Sequence, residues 1–198
     1  MTDKTTIDVY DGQAEEYAKL VQQDGPDEHL QAFIDLIPEN GTVLDLGSGP
    51  AAASAHMRAA GLVPDPVDAS LQMVELANRT HDIGARQATF DDISGEELYD
   101  GIWANFSLLH APRSDLPRHI ETLCAALKTG GVFHIGMKTG EGEQRDRIGR
   151  KYTYVSVNEL NDLLDDAGLS VNYTDEGSAK GLDGTDAPWV ICRATKNG

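Results

Sequence analysis

The segment of this chain best suited to holding a small ligand is TVLDLGSGPAAA, residues 42–53, where Gly47 and Gly49 stand one residue apart. Two glycines let the backbone turn sharply and leave no side chain between its N–H groups and a ligand, and a helix that follows presents its positive end. Asp45 lies two residues before Gly47, Ser48 lies between the glycines, and Asp68 follows roughly 20 residues later, the spacing at which a carboxylate takes the hydroxyls of a ribose. A tight strand-to-helix turn with no ligand is the competing reading, and Asp68 tips the balance toward a nucleoside.

A dinucleotide fingerprint carries a third small residue and keeps acids out of the turn, because a carboxylate repels pyrophosphate. Asp45 instead suits a ligand bearing an ammonium and a sulfonium, and that ligand is S-adenosylmethionine. The rest of the composition is that of a soluble globular chain: 198 residues, 40% hydrophobic and 25% charged, enough for one cored domain over residues 1–198. The net charge of −17 works against nucleic acid and anionic membrane partners. The amino terminus lacks the pattern of a secretion signal, and nowhere do about 18 apolar residues run together, so a cytoplasmic location is expected. Cys124 and Cys192 have no metal-ligand spacing and read as reduced packing residues; no metal site is expected.

Positioning these residues requires alternating strands and helices. Helices are expected at Asp11–Gln23 and Asp27–Ile37, the second with Leu30, Phe33, Ile34 and Ile37 on one face. Strands follow at Thr42–Leu46, Leu62–Val67, near Ala85–Phe90, Tyr99–Phe106 and Val132–Lys138. Helices are expected between them at about Ala51–Ala60, after Ser70 as N-cap, and over Asp115–Lys128, the last stopped by Gly130 and Gly131. A capping box of Ser156 and Glu159 starts a final helix to Ala167. The runs Leu169–Thr174 and Trp189–Ala194 have no helical crossover between them and can only form an antiparallel hairpin. The outcome is an α/β, Rossmann-like doubly wound sheet whose ligand sits at the carboxyl ends of the strands.

With VLDLGSG, VDAS, YDGIWANFSLLHAPRSDL and ALKTGGVFHIGMKTG in place, the chain resembles class I S-adenosylmethionine-dependent methyltransferases over essentially its whole length. DGIWANFSLLH and TYVSVNELNDLLDDAGL are similar to a subgroup of small bacterial tellurite-resistance-like and other small-molecule enzymes. The resemblance implies seven strands in the order 3-2-1-4-5-7-6 with strand 7 antiparallel, and lid and cap helices over residues 1–40 before a core at 41–198. It also implies cofactor contacts by Asp45, Gly47, Ser48 and Gly49 at the methionyl part and by Asp68 at the ribose. Adenine is expected between Ala69 and the end of strand three, where either Phe90 and Asp91 or Asp92 and Ile93 align, with Asp91 or Asp92 expected near the exocyclic amine. Asn105 is expected beside the methyl donor. Ala51 departs from the pattern, standing where many relatives carry a third glycine.

Around the acceptor the candidates are Tyr10 and Tyr17 on the first helix, His110 after strand four, and Arg147, Arg150, Tyr152 and Tyr154 after strand five. His110 is a candidate general base, because its ordinary pKa lies near neutrality, and it is equally a hydrogen-bonded loop histidine. Tyr17 shares a helix face with Tyr10 and is the second catalytic candidate, with core packing as its competitor. The expected activity is methyl transfer to a small-molecule acceptor by a monomer or homodimer. A nicotinamide-dependent oxidoreductase and a non-catalytic S-adenosylmethionine-binding module are the alternatives.

Overall fold

The computed structural model describes residues 3–21 and 24–198, so the last two residues of the expected first helix, 22 and 23, lie outside the described residues. One seven-stranded sheet carries the fold, in the order β3-β2-β1-β4-β5-β9-β8. Its members are β1 (Thr42–Leu46), β2 (Val63–Asp68), β3 (Arg86–Gln87), β4 (Tyr99–Asn105), β5 (Leu127–Lys138), β8 (Leu169–Lys180) and β9 (Asp186–Lys196). Counted within the sheet this is 3-2-1-4-5-7-6. β9 runs antiparallel to both β5 and β8, and the other neighbouring strands pair in parallel. The helices are α1 (Lys4–Val21), α2 (Glu28–Ile34), α3 (Ala52–Ala59), α4 (Leu71–His81), α5 (Leu116–Ala126) and α6 (Val157–Asp166).

The core follows the central strands. Leu44, Leu46, Ile102, Ala104, Phe133 and Ile135 are essentially inaccessible, as expected of parallel strands covered on both faces. Phe33 and Ile37, at and just beyond the end of α2, seal the other face against Val43, Met57 and Trp103. Both cysteines are buried and free.

α2 ends at Ile34, short of the expected Ile37, and the final hairpin is longer than expected, with β8 running to Lys180 and β9 starting at Asp186. Four other departures from expectation each have a local reason. α1 starts near Lys4 because Asp3 accepts the Thr6 N–H at 2.9 Å, a capping residue ahead of the expected start. β3 shrinks from 85–90 to two residues: Pro64 and Pro66 have no N–H to offer, and β3 pairs with β2 only at Val67 and Asp68. The sheet, not the glycine pair, ends α5: Leu127 already pairs with Tyr99, and Gly130 and Gly131 lie within β5. A second, two-stranded sheet of β6 (Glu143–Arg145) and β7 (Lys151–Thr153) stands where a loop was expected. Its turn is held by Asp146 Oδ1, which accepts from the N–H groups of Ile148 and Arg150.

Candidate active site

The glycine turn is pinned to the end of β2. Gly47 and Ser48 both donate their N–H to the Val67 carbonyl, at 2.8 and 2.9 Å. Gly47 has φ +71°, and a Cβ there would lie 2.5 Å from Ser107 Cβ, so conformation and space both exclude a side chain. Gly49, at φ +54°, is covered by the Tyr17 ring, whose Cε1 would lie 3.4 Å from an added Cβ. The half-buried Asp68 carboxylate accepts the Gly49 and Ser70 N–H groups, both at 2.8 Å. Burial raises its pKa against the lowering effect of those donors. Asp68 therefore braces the turn besides facing the cavity.

Asp45 is 2% exposed and accepts the Ser54 hydroxyl at 2.7 Å. Desolvation pushes its carboxyl up to about 7. The non-glycine at position 51 adopts φ +58° at the start of α3, the left-handed conformation that a glycine would hold without strain.

Three adjoining cavities open along the carboxyl ends of β1, β2, β4 and β5, and Tyr17 and Phe106 line all of them. One runs past Gly47, Gly49, Asp68, Ala69, Ser70, Phe90 and Asn105 to His110. A second is walled by Asp45, Ser48, Trp103 and Asn105. The third lies beneath Tyr10, His110, Lys138, Arg150, Tyr152 and Trp189. Phe106, immediately after Asn105, is held at φ +57°, an unfavourable backbone at the junction of the cavities. The Asn105 carboxamide oxygen accepts from His134 Nε2 at 3.2 Å, and a Cβ on Gly136 would come within 2.7 Å of that oxygen. The Ser48 and Ser107 hydroxyls are buried without a hydrogen-bond partner among the described residues, although buried polar atoms are ordinarily paired. Two orphaned hydroxyls beside a glycine cradle, with the buried Asp45 and the half-buried Asp68 carboxylates on either side, fit a nucleoside that carries an ammonium group.

Where adenine was expected the structure separates the aligned residues. Phe90 and Ala88 line the cavity. Asp91 and Asp92 do not: the Asp91 carboxylate meets Arg118 at 2.7 Å, and Asp92 accepts the Thr89 N–H and hydroxyl. A 3-10 turn over Phe90–Asp92 directs both acids outward, a feature that the expected continuous strand concealed.

Beside the third cavity a hydrogen-bond chain has formed. His110 Nδ1 lies 2.7 Å from the Lys151 carbonyl, which can only accept, so Nδ1 carries the proton and Nε2 is the acceptor. Tyr10 then donates its hydroxyl to Nε2 at 2.8 Å, and Arg150 Nη1 donates to the Tyr10 oxygen at 3.1 Å. Burial lowers His110 to about 4, which keeps the ring neutral, and raises the Tyr10 phenol. The partner of His110 is therefore Tyr10. Tyr17 meets Tyr10 edge-on at 5.6 Å and covers the glycine turn. Tyr152 packs against His110, whereas Arg147 is taken by the Asp183 carbonyl and Tyr154 covers Gly140.

Sequence reasoning missed Lys138, Ser107 and Phe106. It also passed over Asp11, which accepts from the Ser70 hydroxyl and the Gln72 N–H and so clasps α1 to the start of α4. The position of Lys138 at the carboxyl end of a strand was a signal available in the sequence. Glu28, His29 and Asp175 bring one potential ligand atom each within 4.8 Å of one another, but none of them lines these cavities.

Residues 14–174 match the family described as "Methyltransferase domain". The chain belongs to that family, and it is an S-adenosylmethionine-dependent methyltransferase with the class I fold. A solved S-adenosylmethionine-dependent methyltransferase from Methanosarcina mazei superimposes with TM-score 0.76 at 15% identity, over 87% of this chain and 99% of that one. The 1,6-didemethyltoxoflavin-N1-methyltransferase of Burkholderia thailandensis, solved with its substrate and S-adenosylhomocysteine, gives 0.74 at 16%, over 98% and 88%. A Haloferax volcanii protein in complex with the Trm112 methyltransferase activator gives 0.76 at 20%, over 98% of each chain. No curated protein matches. Among the described residues no helix is long and apolar enough to cross a membrane.

Proposed function

We propose that the enzyme methylates a small molecule held in the cavity beneath Tyr10, His110, Arg150, Tyr152 and Trp189. The observation that carries this reading is the continuity of that aromatic cavity with the glycine-turn cavity through Tyr17 and Phe106. The small bacterial subgroup resembled in sequence and the toxoflavin methyltransferase fit the same reading. S-adenosylmethionine, when bound, supplies an electrophilic methyl group. Gly47, Ser48, Gly49, Asp45 and Asn105 would hold its amino-acid end, and Asp68, Ala69 and Phe90 its nucleoside. α1 acts as a lid that brings Tyr17 over the turn and excludes water.

His110 and Tyr10 serve the acceptor. A proton leaving the acceptor passes to the Tyr10 oxygen as the Tyr10 proton moves to His110 Nε2, while Arg150 stabilises negative charge on the phenol. A base with a pKa of about 4 takes protons only from an already acidified group, so alignment of the acceptor carries most of the acceleration. Calorimetry tests the ligand assignment: S-adenosylmethionine and S-adenosylhomocysteine should bind, with NAD far weaker. Comparable NAD binding would favour an oxidoreductase. Release of S-adenosylhomocysteine with a panel of small acceptors then tests the transfer itself, and binding without turnover would favour a non-catalytic module.

The Asp45 carboxyl adds a pH signature. A cationic ligand favours its ionised form, so binding expels a proton below pH 7 and not above it. The S-adenosylmethionine dissociation constant is expected to weaken about tenfold per unit as pH falls below 7 and to level off above it. Asp45→Asn should bind more weakly at pH 8 with a flat profile between 5.5 and 7. A slope retained by that variant would place the titrating group elsewhere.

A further inference from the structure

The acceptor cavity of this acidic protein is lined by cations. Lys138 ends β5 and lays its ammonium 3.8 Å above the Tyr152 ring. Among the described residues it has no carboxylate within ion-pair distance. Arg150 is 3% exposed and bonds Asp146 through Nε and Tyr10 through Nη1. Its Nη2 lies 2.8 Å from the Asp146 oxygen already engaged by Nε, yet meets no acceptor in hydrogen-bond geometry among the described residues.

Gly181, in the turn between β8 and β9, locates the gap between them. A Cβ built on it would lie 3.2 Å from Asp183 Oδ1, 3.8 Å from Lys138 Nζ and 3.9 Å from Arg150 Nη2, so the two cationic groups converge on one notch with the Asp183 carboxylate at its edge. Lys180 lines the same cavity. The acids nearby are Asp146, whose oxygens are taken by Arg150 and two backbone N–H groups, and Asp183, whose oxygens are taken by the N–H and hydroxyl of Thr185.

A desolvated guanidinium whose Nη2 keeps its N–H groups unsatisfied beside a second cation is costly, even with Asp146 as its ion-pair partner. Burial and repulsion from Arg150 already lower the Lys138 pKa. A carboxylate in the notch would satisfy both groups, and a guanidinium edge accepts a carboxylate more readily than it accepts water. The aromatic walls suit the body that such a carboxylate would carry.

We propose that the methyl acceptor is a small carboxylic acid with an aromatic or apolar body, its carboxylate held between Lys138 and Arg150 below Gly181. This deepens the small-molecule reading of the same cavity and rests on it. It points the far end of the acceptor toward Tyr10 and His110 and leaves its carboxylate unmethylated.

The test loads the full chain with S-adenosylhomocysteine and titrates matched pairs: benzoate and benzamide, indole-3-acetate and indole-3-acetamide, and cinnamate and cinnamamide, with inorganic phosphate alongside. At least one carboxylate is expected to bind tenfold or more tightly than its amide. Lys138→Met should erase that preference and Lys138→Arg restore it, both with S-adenosylhomocysteine affinity within twofold of the parent. Lys138→Met should also raise the melting temperature of the free protein, because it removes a desolvated cation next to Arg150. Equal affinity within every pair, a preference that survives Lys138→Met, or a lowered melting temperature in that variant would each overturn the proposal, and phosphate as the tightest ligand would reassign the notch. Failure of the parent to bind S-adenosylhomocysteine would instead count against the function proposed above.

Discussion

Removal of residues 1–23 is expected to leave a folded domain whose methyl transfer has fallen about 100-fold or more, the loss that follows when reacting groups lose their alignment and the site opens to water. The deletion takes away the Tyr17 ring over Gly49 and the Tyr10 hydroxyl on His110. What α1 buries is small: of its described residues only Thr6 and Ala14 are buried, with Tyr10 and Tyr17 partly so. Polar clasps do most of the holding. Asp3 meets Arg145, Asp11 caps the start of α4, Glu15 meets Arg79, and the Thr6 hydroxyl accepts the Lys151 N–H. Exposed ion pairs contribute roughly 0–1 kcal/mol each, so the helix can part from the core at modest cost. Its non-helical backbone at Gln13, φ −126°, lies between the two tyrosines and gives it a joint. Protease cleavage within residues 8–20 should accordingly be fast in the free protein and slow with S-adenosylhomocysteine bound, since the ligand stabilises the closed state. Full activity in the truncated protein would make α1 a packing or oligomer element.

Asp68→Ala is expected to weaken S-adenosylmethionine binding by about 1.5–3 kcal/mol, roughly 10- to 150-fold. Two losses combine: the proposed acceptor of the ribose hydroxyls, and the brace that holds Gly49 and Ser70. Asp68→Asn separates them. Its remaining carbonyl can accept one backbone N–H, so thermal stability should recover more than affinity does. Calorimetry beside thermal unfolding reads both quantities. An unchanged dissociation constant in a folded Asp68→Ala protein would remove Asp68 from the cofactor site.

The local sequence was sufficient for the glycine turn, the acid after β2 and the antiparallel final hairpin, because each is written in neighbouring residues: glycines where φ is positive, apolar runs where strands are covered twice, and no helix between the last two strands. The strand order followed from the family resemblance. The same local logic placed His110 and Tyr10 near the acceptor without pairing them, and it chose Tyr17 as the catalytic tyrosine. Only the tertiary structure joins Tyr10 to His110, 100 residues apart, and orients the ring through the Lys151 carbonyl on an unforeseen hairpin. It turns Asp91 and Asp92 away from the glycine-turn cavity, where Arg118 and Thr89 take them instead. It brings Lys138, Arg150 and Gly181 to one notch from three separate elements. Local conformation follows from propensities that act over a few residues, whereas hydrogen-bond partners and the direction of a charge depend on which distant chain segment arrives, and that is decided when the sheet assembles.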